Sequence, residues 1–264
     1  MNRILFYGGG NIAQAIISGL LGSGHDKSSI FYIDRNKTNQ LKLKKLGVKK
    51  YVASTSKSTI DLIVLCVKPK DALDAYKAIA QDFHNPKVIS LVAGIGSRKY
   101  LSISKDVKLV RGMPNTSSQH GMGITALLNI NASETLYENI KRLFNRTGIT
   151  LDLSNEKAIN DFTGLIGSGP AYFYYLLKSY EKALNKRVDR DSKKTKLIMA
   201  NLMSGIGESI KGDKSIDELI KSVASKKGTT EAGLKAMKEE KMTESFNKSI
   251  KAAMNRAKEI SNES

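Results

Sequence analysis

The most constraining feature of this chain is a glycine-rich turn that joins an apolar strand to an amphipathic helix. The run Ile4–Tyr7 is β-prone and leads directly into Gly8-Gly9-Gly10-Asn11-Ile12-Ala13, after which apolar residues recur at helical spacing. This G-x-G-x-x-A order suits a dinucleotide, because Gly8 permits a tight turn, Gly10 lets the backbone approach a pyrophosphate, and Ala13 permits close helix packing. The positive end of the helix would then face the phosphates.

A glycine motif alone also fits an ordinary tight turn in an α/β protein that binds no nucleotide. A second apolar run, Ile30–Ile33, ends at Asp34, which follows Gly10 by 24 residues, near the offset of an acid that meets the ribose. Asp34 would bond the 2′-hydroxyl of NADH and repel a 2′-phosphate, whereas Arg35 would stack on the adenine or meet that phosphate. We therefore expect NADPH or NADH, with the preference left open.

The composition is that of a soluble globular protein. The chain has 264 residues, 41% of them hydrophobic and 26% charged, which fits one or two domains. No apolar run reaches the roughly 18 residues of a membrane span, and no signal peptide is visible. Cys66 is the single cysteine and sits in an apolar run, which predicts an inert buried thiol in a reducing cytoplasm. His25, His84 and His120 form no spaced cluster, so we expect no metal site.

The formal net charge of +18 raises the question of an anionic partner. The lysines are spread over the whole chain, and the densest cluster, Arg187 to Lys196, also contains Asp189 and Asp191. No basic strip is rich in aromatic residues, as a nucleic-acid motif would be. We expect a solvated lysine-rich surface, and neither a nucleic-acid partner nor a membrane partner.

Strands and helices alternate in the first part of the chain, which predicts βαβ units and a mostly parallel sheet. The strand-like runs are Ile4–Tyr7, Ile30–Ile33, Leu62–Val67, Val88–Val92 and Val107–Val110. The helix-like segments between them include Lys37–Leu46 and Lys70–Phe83. A βαβ-like piece from Gly123 through Leu151 closes this part. Loops at the carboxyl ends of the strands should line the ligand crevice, namely Lys68-Pro69, Ala93-Gly94-Ile95 and Met113-Pro114-Asn115-Thr116.

From about Ser154, helical periodicity replaces the strands. The predicted helices are Glu156–Ile166, Ala171–Leu184, Ser192–Ile210, Ile216–Ser222, Thr230–Glu239 and Ser245–Ile260. Pro170 suits a first helical turn, and Asp191 and Thr243 are candidate caps. We predict a dinucleotide-binding domain over residues 1–153 and a helical substrate and dimerisation domain over 154–264. Because these helices have little sheet to cover, we expect a homodimer or larger assembly rather than a monomeric bundle.

Six segments, in order and spanning nearly the whole chain, resemble the pyrroline-5-carboxylate reductase family. They are Gly8–Ala13, Val67–Pro69, Val92–Ile95, Arg111–Thr116, Gly167–Tyr172 and Ser225–Thr230. The resemblance implies a Rossmann-type α/β domain followed by an all-α dimerisation domain. It also implies reduction of 1-pyrroline-5-carboxylate to L-proline, the last step of proline biosynthesis. The chain departs from the family pattern at three places: Lys226-Lys227 replaces a usual Pro-Gly, Ser117-Ser118 replaces Pro-Ala, and Gly112 replaces an aliphatic residue.

The resemblance also implies site residues. Ser225, Gly228 and Thr229 would hold the substrate carboxylate, and Thr230 would be the catalytic residue that hydrogen-bonds the ring nitrogen. Asp213 matches an acidic substrate position, or it lies in a plain turn. The loop is equally a helix N-cap, with Ser225 or Thr229 preceding a helix that starts near Glu231. The cofactor-binding residues would be Gly8, Gly10, Asn11, Ile12, Asp34, Arg35, Val67, Lys68, Pro69, Ala93, Gly94 and Asn115, although Pro114-Asn115 also fits a simple turn.

A related imine or 3-hydroxyacid oxidoreductase is the nearest alternative. That relative carries G-x-x-G-x-G-x-x-x-K-x-x-N, and here Phe173 and Leu176 stand where the lysine and asparagine should be. Carbonyl reduction needs a proton donor to the developing alkoxide, so this difference favours an imine substrate. A non-catalytic dinucleotide-binding regulator is the second alternative. It would keep the glycine turn but would not need the loop from Ser225 to Thr230.

Overall fold

A computed structural model describes residues 3–52 and 60–263 of the chain. Within these ranges eight strands form one sheet. The strands are β1 (Ile4–Tyr7), β2 (Ile30–Ile33), β3 (Lys49–Lys50), β4 (Leu62–Leu65), β5 (Lys87–Ser90), β6 (Lys108–Pro114), β7 (Gly123–Asn129) and β8 (Gly148–Asp152). Their order across the sheet is β3-β2-β1-β4-β5-β6-β7-β8. Every neighbouring pair is parallel except β6 and β7, so the prediction of a mostly parallel sheet is confirmed.

Eleven α-helices lie within the described residues. In the first part they are α1 (Asn11–Gly22), α2 (Lys37–Lys45), α3 (Ala72–Asp82), α4 (Ser97–Ile103) and α5 (Glu134–Asn145). The helical part contains α6 (Glu156–Phe162), α7 (Gly169–Asn185), α8 (Ser192–Ile210), α9 (Ile216–Val223), α10 (Thr229–Glu239) and α11 (Met242–Glu263). No helix in the described ranges is long and apolar enough to cross a membrane.

The sheet is buried on both faces, which explains the nearly continuous apolar runs of its central strands. Ile4 and Phe6 of β1 pack into a cluster with residues of α1, α2 and α5. Leu5, which points to the opposite face, packs with residues of α3 and α4. Because strand side chains alternate between faces, one short strand serves both clusters. The two layers of helices therefore hold the carboxyl ends of β1, β2 and β4 at one edge of the sheet.

Several predicted boundaries differ from the observed ones. The predicted strand Leu62–Val67 is too long, because β4 ends at Leu65, where the chain passes close to Gly8. The predicted strand Val107–Val110 is too short, and the assignment of Met113-Pro114 to a loop is wrong, because both residues pair with β7. Pro114 is tolerated as the last residue of its strand. The predicted strand Val88–Val92 shifts to β5, and the short strand β3 and helix α4 have no counterpart in the sequence interpretation.

The helical part shows two further differences. The predicted helix Glu156–Ile166 changes at Thr163 from α to π geometry, and this π turn runs to Gly167. Gly164 lies there against the backbone of Met254, where a methyl group would meet the Met254 nitrogen at 2.8 Å. Thr243 is not a cap, because α11 begins one residue earlier, after Lys241 with its positive φ of 50°. Pro170 lies in the first turn of α7, and Asp191 caps α8 through Oδ1, so both of those predictions are confirmed.

The chain divides into two compact units. One contains the residues up to Pro170 together with Lys251 onward, and the other is Ala171–Ile250. The predicted division at 153/154 follows the change from strands to helices and remains a prediction. Within 171–250, all of which the structure describes, Thr195 is the only buried residue. This unit exposes large apolar side chains, namely Phe173, Tyr174, Tyr175, Tyr180, Leu197, Leu202, Ile206, Ile210, Ile216, Ile220, Val223 and Met237.

A buried cation ties the sheet to α6. The side chain of Arg111 in β6 is only 1% exposed. Its Nη1 donates to Glu156 Oε2 at 2.6 Å, and its Nη2 donates to the carbonyl oxygen of Val92 at 3.0 Å. The other carboxylate oxygen of Glu156 accepts a hydrogen bond from the Ser97 backbone at 2.8 Å. Burial of a charge is costly unless it is paired, so Glu156 stabilises this arrangement.

Replacing Glu156 by glutamine should lower the free energy of unfolding by about 2–3 kcal/mol, because it leaves the Arg111 charge buried without a counter-charge. Urea denaturation measures this change. Asp161→Asn, on the same helix, is the matched control. Asp161 pairs with the exposed Lys157, so its replacement should cost less than about 0.5 kcal/mol. Equal losses for the two variants would show that the buried cation does not depend on Glu156.

Candidate functional site

A cavity of about 390 Å³ opens at the carboxyl ends of β1, β2 and β4. The glycine turn forms one wall, the residues after β2 form a second, and the segment after β4 forms a third. Ligands of open α/β sheets bind at such an edge. Six of the predicted cofactor-binding residues line this cavity: Gly8, Gly10, Asp34, Arg35, Val67 and Lys68.

Gly8 brings the glycine turn against the end of β4. Its φ is +110°, a conformation that favours glycine, and a methyl group there would lie 2.6 Å from the Cys66 carbonyl oxygen. The thiol of Cys66 donates to the Gly8 carbonyl oxygen at 3.1 Å. The prediction of a buried thiol is confirmed, and burial raises its pKa, which disfavours the reactive thiolate.

Gly10 leaves space at the start of α1. A methyl group on Gly10 would meet nothing within 4 Å, and Gly10 caps the helix without any side chain. The predicted residues Asn11 and Ile12 form the first turn of α1, whose amide groups have no partner within the helix. Backbone donors at a positive helix end, facing open space, suit a pyrophosphate. These residues therefore fit the phosphate part of a dinucleotide.

Asp34 is held by the protein itself. Its Oδ2 accepts hydrogen bonds from the Gly9 backbone at 2.6 Å and from Asn39 Nδ2 at 3.1 Å. Its Oδ1 accepts from the Asn36 backbone at 2.5 Å. The carboxylate thus joins the end of β2 to the glycine turn and to the start of α2. Asp34 lies at the predicted position in the cavity, but both of its oxygens already have donors.

Charged side chains of both signs surround the mouth of this cavity. Arg35 Nη2 lies 2.9 Å from Asp71 Oδ1, and the exposed Lys68 and Asp74 also line the cavity. Tyr7 lies in the wall, where burial is the main factor that raises the pKa of its phenol. The phenol therefore stays neutral around pH 7 and adds no charge to the site.

The remaining predicted cofactor residues lie outside the lining of this cavity. Pro69 begins a short 3-10 turn, Pro69–Asp71, directly after Lys68. Ala93 and Gly94 lie in the loop after β5, where Gly94 has a φ of +78° and packs tightly against Ile260 of α11. A side chain at residue 94 would collide with Ile260, so the last turns of α11 fix the shape of this loop.

Asn115 follows β6 and is buried. Its backbone N–H donates to the Ile124 carbonyl oxygen, and its Oδ1 accepts from the Ile124 N–H, both at 3.2 Å. The alternative of a simple turn at Pro114-Asn115 is wrong for Pro114, which pairs with β7 as the last residue of β6, whereas Asn115 begins the connection to β7. A cofactor contact by Asn115 stays a prediction.

The predicted substrate loop lies in the unit 171–250 and leads into helix α10, as expected. The residue that caps this helix differs from the prediction. The Gly228 N–H donates to the Ser225 carbonyl oxygen at 2.9 Å, which closes a turn, and α10 begins at Thr229. Gly228, not Ser225 or Thr229, is the N-cap, and no side chain caps it. A methyl group at residue 228 would meet the Ser225 hydroxyl and would lie 3.0 Å from the Ser225 carbonyl oxygen, so a side chain there would require Ser225 to shift. The loop therefore presents uncapped helix N–H groups, which suit an anion.

Lys226-Lys227 preserves the turn despite its departure from the family pattern. Lys227 has a φ of +59°, which glycine adopts at lower cost. A positive φ at the third position of a turn is typical of type II, for which Pro-Gly is the preferred central pair. The Lys227 N–H donates to Glu231 Oε2 at 2.6 Å, so a carboxylate at the start of α10 holds the turn.

Asp213 is exposed in the turn between α8 and α9, consistent with either interpretation from the sequence. No group of three or more potential metal ligands occurs among the residues that the structure describes. The sequence interpretation assigned no role to Asp71 and Asp74, which line the cavity, or to Arg111 and Glu156. Asp71 lies two residues after Pro69, and this closeness to a predicted cofactor loop is the only signal for it in the sequence. Its pairing with Arg35 has no such signal, because the two residues are 36 apart in the chain.

The chain is similar to known proteins over its whole length. A family model described as pyrroline-5-carboxylate reductase dimerisation matches residues 156–260, and one described as NADP oxidoreductase coenzyme F420-dependent matches residues 3–94. A pyrroline-5-carboxylate reductase of Staphylococcus epidermidis is 32% identical over 98% of both chains.

Solved structures of such reductases have a similar fold. The one from Coxiella burnetii is 27% identical, with a TM-score of 0.83 over 98% of both chains. That of Plasmodium falciparum, solved with NADP bound, is 23% identical with a TM-score of 0.84 over the same share of both chains. The latter similarity shows the fold alone.

Replacing Lys227 by glycine should raise the free energy of unfolding by about 0.5–1 kcal/mol, because it removes the strain of a left-handed lysine. Urea denaturation at a fixed protein concentration measures the change. Lys226→Gly removes the same charge from the neighbouring residue, whose φ is not positive, and should instead destabilise by about 0.5–1 kcal/mol. The same sign for both variants would contradict the turn geometry.

Proposed function

The chain belongs to the pyrroline-5-carboxylate reductase family, and from this premise we propose that it reduces 1-pyrroline-5-carboxylate to L-proline with NADPH or NADH. This reaction is the last step of proline biosynthesis. The observation that carries the proposal is the full-length similarity to named reductases. It favours the reductase over the 3-hydroxyacid oxidoreductase and the non-catalytic regulator considered from the sequence.

The cofactor would be held at the carboxyl edge of the sheet. The amide groups at the start of α1 would bind the pyrophosphate, with Gly8 and Gly10 giving the backbone its close approach. The segment Val67–Pro69 would flank the adenosine half, and Ala93, Gly94 and Asn115 would lie toward the nicotinamide. When bound, the reduced nicotinamide supplies a hydride to the substrate.

The substrate would be held by the loop at the start of α10. Its carboxylate would be held by Ser225, Gly228 and Thr229. The Ser225 hydroxyl and the Thr229 N–H of the uncapped helix start would donate to it, and Gly228, whose N–H donates to the Ser225 carbonyl oxygen, would shape the loop. Asp213, in the turn between α8 and α9, would also contact the substrate. A protonated imine carbon already accepts a hydride readily, so the protein needs to orient it and keep its nitrogen protonated. The hydroxyl of Thr230 would hydrogen-bond that nitrogen.

The assembly would be a homodimer or a larger homo-oligomer. Residues 171–250 bury almost nothing within one chain and expose a large set of apolar side chains, which a second copy would cover. The match of residues 156–260 to a dimerisation model supports the same assembly. We also propose a cytoplasmic location, because the chain has a single, buried cysteine and so forms no intrachain disulfide.

Thr230→Ala should lower kcat by about 10–100-fold while changing the dissociation constant of NADPH by less than about twofold, because the lost hydroxyl acts on the substrate nitrogen. Steady-state absorbance assays of NADPH and NADH consumption with pyrroline-5-carboxylate measure turnover. Fluorescence titration of NADPH without substrate measures cofactor binding.

Thr230→Ser is the matched control, since it keeps the hydroxyl and should retain most of the turnover. Equal losses of turnover and of cofactor binding in Thr230→Ala would contradict the role given to Thr230. A wild-type protein that binds NADPH but never consumes it with this substrate would contradict the proposed reaction.

A further inference from the structure

The mouth of the cavity at the end of β2 contains an ion pair that the proposed reaction does not explain. Arg35 follows Asp34 directly, and Asp71 ends the 3-10 turn after Lys68. Their side chains meet at 2.9 Å although they are 36 residues apart in the chain. We propose that Asp71 is a specificity-determining residue that occupies Arg35 and so limits the affinity of the site for a 2′-phosphate. This inference rests on the proposed function, since it assumes that a nicotinamide dinucleotide binds here.

The first step of the argument concerns Asp34. An acid at this position is expected to select a free 2′-hydroxyl by accepting its hydrogen bond. Here three donors already bind the Asp34 carboxylate, from Gly9, Asn36 and Asn39. These contacts hold the glycine turn against β2 and partly offset the negative charge. A carboxylate accepts about four hydrogen bonds, so Oδ1 can still accept one from a ribose hydroxyl. Asp34 thus positions the turn as well as facing the ribose, and the groups around it decide how well an additional 2′-phosphate is tolerated.

The second step concerns the cation. Arg35 is the basic side chain next to Asp34, and its guanidinium suits a phosphate because it presents several N–H donors in a fixed plane. In this structure one of those donors, on Nη2, is directed at Asp71 Oδ1. A 2′-phosphate would have to compete with the Asp71 carboxylate for the same guanidinium. It would also meet the repulsion of that carboxylate.

The third step concerns the alternative role of Asp71 as a cap of helix α3. Asp71 lies at the N-cap position of α3, yet its side chain makes no capping hydrogen bond there. The carboxylate is therefore directed to Arg35 rather than to the helix. Replacing it by asparagine should leave α3 intact and free the guanidinium.

The test is a comparison of NADP⁺ and NAD⁺ binding by isothermal titration calorimetry, with the full-length assembled protein and no substrate. The two ligands differ only by the 2′-phosphate, so the ratio of their dissociation constants isolates its contribution. Asp71→Asn should strengthen NADP⁺ binding about twofold to fivefold, in the range expected for an exposed ion pair, and change NAD⁺ binding by less than about twofold. Arg35→Ala should weaken NADP⁺ binding about tenfold and NAD⁺ binding little.

Asp74→Asn is the matched control. It removes the same charge from the lining of the same cavity, and no ion pair among the described residues involves Asp74. If Asp74→Asn shifts the ratio as much as Asp71→Asn, the ion pair is not the cause and the inference is overturned. If Arg35→Ala weakens both ligands equally, Arg35 stacks on the adenine and the inference is again overturned.

Different results would contradict the inference and the proposed function. A wild-type protein that binds neither dinucleotide would contradict both hypotheses. If the wild-type protein binds both dinucleotides and reduces pyrroline-5-carboxylate, but Asp71→Asn leaves the ratio of the NADP⁺ and NAD⁺ dissociation constants unchanged, only the inference is contradicted.

Discussion

The contact between Gly8 and the end of β4 is the constraint on which the candidate site depends. The Gly8 N–H donates to the Ile33 carbonyl oxygen, while the Cys66 N–H donates to the Tyr7 carbonyl oxygen, so three strand ends converge on this turn. Any side chain at residue 8 would push the Cys66 carbonyl away and separate those ends. The cavity, the uncapped start of α1 and the position of Asp34 all follow from that convergence.

A second constraint acts on residues 171–250, where hydrogen bonds and ring contacts to Phe246, rather than a buried core, hold the helices. The Ser215–Glu218 capping box, the Asp191 cap and the Phe173–Phe246 ring contact are local or exposed. Such contacts are worth about 1 kcal/mol each, too little to replace a buried core. Association with a second copy would therefore stabilise this unit, because it would cover the apolar side chains that one chain leaves exposed.

The sequence predicts the features that local chemistry decides. The strand, glycine turn and helix up to Ala13, the helix Ser192–Ile210 and the Asp191 cap all depend on neighbouring residues. The sequence is a poorer guide to features that depend on contacts between residues far apart in the chain. β6 extends to Pro114 because β7 pairs with it, and the helix after Glu156 adopts π geometry where Gly164 meets Met254. The Arg35–Asp71 pair is of the same kind, since no spacing rule connects its members.

Asp34 shows why a motif gives position more reliably than specificity. The offset from Gly10 places an acid correctly at the end of β2, because the geometry of a βαβ unit fixes that distance. Whether its oxygens are available to a ribose depends on other donors, and here Asn36 and Asn39 come from the turn and first helical turn that follow. A carboxylate that also holds the fold in this way does not by itself fix the preferred cofactor. The preference then depends on how strongly Arg35 is held, which is a property of a contact and not of a motif.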